Sequence, residues 1–526
     1  MGARRQTGFR SELLGLPGTA LLGAVLLVPT FAGADSADTP RGVAVRNSTT
    51  VPVAGTYVPL SPVRITDTRT GSQYPNAGKT LTAGGSLNIQ VSGAGTVPTN
   101  GVSAVVLNVT VVGPTAASYV TVFPEGATQP VVSNLNFTPG ETLANLTTVP
   151  LGASGGVTMF NHAGNVNIVV DVEGYYTTSP QATGLYNPVN PLRVFGSLPS
   201  GASIGPDTSS AVTVAGVDGV PDDVSAVVAN VTASGSNSSS FLTAYPAPES
   251  GSPVPPTASN VNFVTGQIIS NRVIVPVGAN GQIEVFNDNG DVKVDVDLDG
   301  YYTGTSGELG SAFTPMSPVR YVDTRSGDNG SPISAGAQES FDFLSDDIPS
   351  PATALASNVT VVASASPGYL TIFPTNESAP PGVSDVNFDS DSIGQNLSLE
   401  PLNGSATELF NGSESPVNVI IDAFGYFAPP PPSTQITANP TSIPANGSST
   451  SALTVTVTTG SGVAFNDPVT LTTTGSCGST SLAGSTNAVG QAMSTYTASS
   501  SVGTCTITAT EATYGTSASV VITQTL

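Results

Sequence analysis

Asp295, Asp297 and Asp299, followed by Gly300, stand in the stretch NGDVKVDVDLDGYY with the spacing that opens a calcium-binding loop. Carboxylates at alternate positions converge on one hard cation, and the glycine lets the chain turn sharply around it. The rest of the stretch suits calcium less well. A loop of that kind carries a bidentate glutamate at its twelfth position, and here that position is Ser306. Other catalytic constellations are thin. His162 is the single histidine, so no second imidazole exists for a zinc site, and a Ser-His-Asp triad would have to be built on its MFNHAGN turn alone. Acidic residues are plentiful, but a glycosidase needs two carboxyls across a sugar-sized cleft, with one pushed up in pKa. Tryptophan is absent, and many of the other aromatics fall inside repeated VFP and GYY motifs, so no such cleft is expected and no catalytic residue is assigned.

The elements that hold these residues are strands. The chain has 526 residues, only 9% of them charged, and Val, Ile and Thr alternate between Gly, Pro and Asn turns, which predicts an all-β protein. Its net charge of −23 repels phosphate backbones and anionic membranes, so nucleic acid is not an expected partner.

Aligned against itself, the chain repeats three times with a period of about 126 residues. The copies end on VEGYYT, LDGYYT and AFGYFA. Upstream lie SNLNF, SNVNF and SDVNF, then LNVTVV, ANVTAS and SNVTVV, and the openings are SPVRITDTR, NPLRVFGSL and SPVRYVDTR. The copies span 57–177, 185–303 and 312–427. Each holds about eight strand candidates, which suggests a two-sheet sandwich or jelly roll per copy. A proline-rich linker, 428–433, separates them from a different last domain, 434–526.

In register with Asp297 the other copies have Asp171 and Asp422, whereas Asp295 becomes Val169 and Ile420, and Asp299 becomes Glu173 and Phe424. A metal loop that lost two of three carboxylates would lose its function. The shared feature is therefore a strand, with calcium kept as a weak candidate in the second copy only. The recurring aspartate has apolar neighbours on its face, and a part-buried carboxylate needs a partner. Arg64, Arg193 and Arg320 occupy equivalent positions in the openings, which predicts the structural pairs Arg64–Asp171, Arg193–Asp297 and Arg320–Asp422. Asp67 with Arg69, and Asp323 with Arg325, read as turn braces missing from the second copy, where Gly196 and Leu198 stand. The Asn-x-Thr matches at Asn108, Asn230 and Asn358 read as strand residues with no implied glycan.

Arg4, Arg5 and Arg10, an apolar run from Leu13 to Phe31, and Ala32-Gly33-Ala34 have the form of a signal peptide over 1–34, with a linker over 35–56. Export by the general or the twin-arginine route is open, and after cleavage no membrane span is expected.

The last domain, through ITANPTSIPANGSSTSALTVTVT, DPVTLTTT, NAVGQAMSTYTASSSVGTCTITAT and ASVVITQ, resembles the bacterial immunoglobulin-like (Big-1) domains of the invasin/intimin adhesins. The resemblance implies a rigid sandwich that presents an adhesive surface beyond the cell. It also places Cys477 and Cys505 in strands of one sandwich, which in an exported chain argues for a disulfide. The three copies are similar to modules with P-x-R-x-x-D-T-R, N-V-T and D-x-x-G-Y-[FY] found in secreted proteins of actinobacteria, which implies location more than activity.

The expected fold class is thus all-β: three tandem homologous β-sandwich, jelly-roll-like repeats followed by an immunoglobulin-like β-sandwich. The expected function is that of a noncatalytic, secreted or cell-surface protein without cofactors, acting in adhesion or as a spacer of rigid modules strung in series on short linkers. Its partner would be a cell-surface protein or glycan receptor, or a cell-wall polymer. Carbohydrate or cell-wall binding, through loops at the sandwich ends, is the alternative, and a secreted hydrolase the remotest.

Overall fold

Strands of two kinds determine the architecture. In the first copy the strands are β1 (Thr56–Asp67), β2 (Ser86–Gln90), β3 (Val102–Val112), β4 (Ser118–Pro124), β5 (Leu135–Phe137), β6 (Thr142–Pro150), β7 (Gly156–Asn161) and β8 (Asn167–Thr177). β2, SLNIQ, turns Ile89 inward and leaves Ser86, Asn88 and Gln90 to solvent, as a strand with one wet face should. β3, VSAVVLNVTVV, is instead buried from Ala104 through Val111, which requires cover on both faces.

That cover comes from two separate cores. The strands form two four-stranded sheets in the orders β1-β8-β3-β6 and β2-β7-β4-β5, the arrangement of a jelly roll. One face of the first sheet, through Val105, Leu107 and Val109, packs on the second sheet inside the copy. The other face, through Ala104, Val106 and Leu146, packs on the equivalent residues of the other two copies, among them Ala226, Val228, Ala354, Ala356 and Leu397. The second and third copies repeat both sheet orders, from Tyr186–Gly196 (β9) to Lys293–Thr303 (β16) and from Ala312–Asp323 (β17) to Asn418–Ala428 (β24).

These are coordinates of a computed structural model, which describes residues 54–526 apart from 179–182, 197–202, 305–308, 328–329, 344–347, 350, 363, 431, 460–461, 464–465, 482–483 and 514. The expected signal peptide and nearly all of the linker after it lie outside the described residues. The expectation that the three copies are strung in series is corrected. They close around a pseudo-threefold axis, with the second apolar face of each inner sheet covered by the other copies.

The closure is visible in three places. Along the axis β6 packs against β14 (Ile269–Pro276) and β22 (Ile393–Pro401), which also pack on each other. The entry segments zip together: Gly55 and Phe313 exchange backbone hydrogen bonds of 2.8 and 2.9 Å, and Tyr186 and Ser311 exchange two of 2.8 Å. Near these segments six rings close a belt. Tyr57 lies 5.2 Å from Tyr176, which lies 4.4 Å from Phe313; Phe313 lies 5.1 Å from Phe427, which lies 4.5 Å from Tyr186; Tyr186 lies 5.3 Å from Tyr302, which returns to Tyr57 at 4.4 Å. Contacts within a copy and between copies alternate around the belt. The glycine of each GY[YF] ending makes room for it, since a Cβ on Gly174, Gly300 or Gly425 would stand 2.2–2.5 Å from the side chain of Tyr57, Tyr186 or Phe313.

The last domain is a separate two-sheet sandwich between Ser433 and Thr525, with five strands in each sheet. Leu453, Val455, Tyr496, Ile507 and Ile522 are fully buried in its core. Cys477 and Cys505 are joined as a disulfide with Cα atoms 4.9 Å apart. No helix among the described residues is long and apolar enough to cross a membrane.

Candidate functional site

One register row crosses the inner sheet of every copy, and the repeated motifs meet on it. In the first copy the row is Arg64, Asp171, Asn108, Leu146; in the second Arg193, Asp297, Asn230, Arg272; in the third Arg320, Asp422, Asn358, Leu397. Residues directly opposite in antiparallel strands share a face, so each row points toward the axis.

Within a row the guanidinium and the carboxylate meet as a fork. Arg64 Nε and Nη2 donate to Asp171 at 2.8 and 3.1 Å, Arg193 to Asp297 at 2.7 and 3.0 Å, and Arg320 to Asp422 at 2.7 and 3.0 Å. Burial pushes all three carboxyls above their usual range against the pull of the arginine. The turn braces differ. Burial raises Asp67 and Asp323 too, but hydrogen bonds and charge from Arg69 and Arg325, both with contacts of 2.6 Å, outweigh it and hold these carboxyls low.

The three carboxylates considered for calcium are spoken for by arginines. Asp295 lies 3.2 Å from Arg193 Nη1, Asp297 is bonded to the same guanidinium, and Asp299 is bonded to Arg272. Among the described residues no group of three or more His, Cys, Asp and Glu side chains is placed to hold a metal. Asp299 also sits on a β-bulge: Gly300 faces Val228 and Leu298 faces Ala229, which leaves Asp299 as the extra residue. Glu173 and Phe424 are the equivalent bulged residues.

Between rows, asparagines stitch the seams in a cycle. Asn108 Nδ2 donates to the carbonyl of Ser259 in the second copy, Asn230 to Ser384 in the third, and Asn358 to Ser133 in the first at 3.0 Å. In the opposite sense, Asn271 donates to Asn108 Oδ1, Asn396 to Asn230 and Asn145 to Asn358, at 2.8–2.9 Å. The Asn-x-Thr asparagines are thus at most 1% exposed, and the serines of SNLNF, SNVNF and SDVNF are their partners across the seams.

Sequence reasoning missed a charged cluster on the axis. Arg272 is 1% exposed; it donates to Asp385 at 2.7 Å and to the carbonyl of Leu397 at 3.1 Å, and it pairs with Asp299. Burial first, with the Asp385 carboxylate adding to it, holds Asp299 well above the usual carboxylate range. Glu173, bonded by Asn260 and the backbone N–H of Ile274, and Glu400, bonded by Ser357 at 2.5 Å, are both pushed up to about 8, chiefly by burial. A signal was present: Arg272 replaces Leu146 and Leu397, Asp385 replaces Asn134 and Asn260, and Glu400 replaces Val149 and Val275, so the departures from the repeat are complementary in charge.

His162, on the loop after β7, stacks on Tyr119 with centroids 4.8 Å apart and ring planes 11° from parallel. Between the first and second copies the seam opens outward into a cleft of about 370 Å³, walled by Arg64, Arg69 and Thr110 on one side and by Phe241, Phe286 and Pro256 on the other. A smaller cleft of about 270 Å³, with Ile268, Tyr369 and Asn387 in its wall, marks the seam between the second and third. Comparison with protein-family models finds no match for this chain, and comparison with curated proteins finds none either.

Proposed function

We propose that this is a noncatalytic exported protein, acting at the cell surface in adhesion or as a structural element. Its three copies serve as one rigid body, and the last sandwich is the part carried beside it. One observation carries this reading: the asparagine cycle, in which the residues that define the repeat are buried in the seams between copies and used for assembly. Motifs held in contacts of this kind describe a scaffold, and the reading replaces a row of spacers with a single broad support. The resemblance of the last domain to invasin-type sandwiches and the leader-like start support an extracellular setting, and the disulfide accords with it.

The test is binding of the leaderless chain, coupled to beads, to intact cells, purified wall polymer and host matrix. Retention by one of these without release of soluble fragments is the expected result. Release of wall fragments that stops on replacing one carboxylate would overturn the reading and make the chain a hydrolase.

A further inference from the structure

A strand that ends a sheet leaves one row of backbone N–H and C=O groups unpaired and invites another strand, and this molecule blunts most of its sheet ends. Among the described residues, β1, β9 and β17 carry two prolines each, and β6, β14 and β22 pack on one another along the axis. β5, β13 (Val261–Phe263), β21 (Val386–Phe388) and β26 (Ser442–Pro444) are three residues long, and β30 (Ser479–Thr480) and β31 (Gly484–Ser485) are two. β18 (Gln338–Asp342) carries Glu339 and Asp342.

β25 (Ser433–Asn439), STQITAN, ends one sheet of the last sandwich and has none of these devices. It pairs with β27 (Thr450–Thr459) along all seven residues without a register shift. Among the described residues its backbone N–H and C=O groups are bonded to no other segment, so alternate residues turn theirs to the open side. Gln435 and Thr437 are exposed on the outer face of the sheet. β2 and β10 (Thr208–Thr213) are also uncharged sheet ends, but they stand on the acidic body. The last sandwich has no Lys, Arg or His and holds only two of the chain's 36 acidic residues, Asp467 and Glu511. The repulsion that keeps two bodies apart is therefore missing at β25.

We propose that β25 is a dimerisation edge, to which a second copy of this chain adds its own β25, antiparallel, about a twofold axis. An edge strand is its own complement under that operation. Pro432 and Pro440 have no N–H and bound the strand, so the pairing takes in Ser433–Asn439 of both copies and is centred on Ile436. Gln435 of each copy then lies opposite Thr437 of the other. Ser433, where the chain arrives from the body, lies opposite Asn439 of the second copy, so the two bodies leave from opposite ends of the joined strands. Such a dimer is bivalent in any surface the body presents.

The experiment measures the mass of the leaderless full chain by sedimentation equilibrium at physiological salt as its concentration is raised. The mass should rise from one chain towards two. Gln435→Glu with Thr437→Glu sets two like-charged pairs across the twofold and should weaken the dimer about tenfold or more. Gln435→Lys with Thr437→Glu sets two opposite-charged pairs there and should restore it. Both positions are exposed, so thermal melts of the two variants should match the parent. The proposal is overturned by a chain that remains monomeric up to about 0.1 mM, by a folded first variant that dimerises as tightly as the parent, or by a second variant as weak as the first.

Discussion

The three-copy body and the last sandwich solve the same problem, a short β-domain with too little core, in opposite ways. Strands of the last sandwich alternate: QAMSTYT (Gln491–Thr497) and GTCTITATE (Gly503–Glu511) bury every second side chain and leave the others partly or fully exposed. Each of its sheets has one dry face, and a disulfide between Cys477 and Cys505 adds to what that single core supplies. The inner sheets of the body are dry on both faces, and each copy is stabilised by the other two. The lesson is that burial gained by association brings polar groups inside, and these must then find partners. In the body they do so through the asparagine cycle and through Arg272 with Asp299 and Asp385.

The sharpest way to break the comparison is to remove Arg272, the cation of the axial cluster. Arg272→Ala leaves two buried carboxyls without their counter-charge and should destabilise the body by about 3–5 kcal/mol, with the last sandwich unchanged. Replacing Arg272 and its two carboxylate partners by residues of the third and first copies, Arg272→Leu with Asp299→Phe and Asp385→Asn, should recover most of that loss. The asparagine at 385 keeps the acceptor for the Ile372 N–H, just as Asn134 Oδ1 accepts from Val122 at 2.7 Å. Denaturant melts of the three proteins provide the measurement. A triple variant as unstable as the single one would show that the cluster does more than balance its own charge.

Much of the body was legible in the sequence, and the cluster shows where legibility ended. Alignment of the copies set Arg64 against Asp171, Arg193 against Asp297 and Arg320 against Asp422, because a repeated charge in a repeated apolar strand has few ways to be satisfied. The strand count and the two-sheet division followed from turn spacing. Closure around an axis did not, since the run SAVVLNVTVV reads alike whether its second face meets a helix, a loop or another copy of itself. Asn108 in the middle of that run was the clue: a polar side chain in a strand buried on both faces must be bonded to something outside its own sheet. Arg272 escaped for a different reason, because attention to shared residues passes over those that break the repeat.

The next effect belongs to the other region. Reduction of the disulfide, or Cys505→Ser with Cys477→Ser, should cost the last sandwich about 3–4 kcal/mol in the chain-entropy model, since it frees a loop of 28 residues. The melt of the body should not move. Differential scanning calorimetry with and without reductant reads both transitions in one sample, and a shift of the body's transition would mean that the two regions unfold together.

A change of pH should tell the regions apart with a smaller effect and no mutation. Glu173 and Glu400 are pushed up to about 8 in the folded body, against an ordinary glutamate near 4.5 in the unfolded chain. Between those values the unfolded chain has released two protons that the folded body retains, so raising the pH favours unfolding. Their contribution is complete below about pH 4.5, declines through neutrality and is gone above about pH 8, at about 1.4 kcal/mol per pH unit for each group. From pH 6 to pH 7 the body should therefore lose roughly 2–3 kcal/mol. The raised carboxyls of Asp171, Asp297 and Asp422 act in the same direction from a lower starting pH, and the lowered ones of Asp67 and Asp323 lose their contribution only in acid, below this window. Glu173→Gln with Glu400→Gln keeps hydrogen-bonding capacity and removes the titration, so the slope between pH 6 and pH 7 should flatten in the double variant. A slope left intact by both substitutions would place the proton release on the other raised carboxyls, Asp299 first among them.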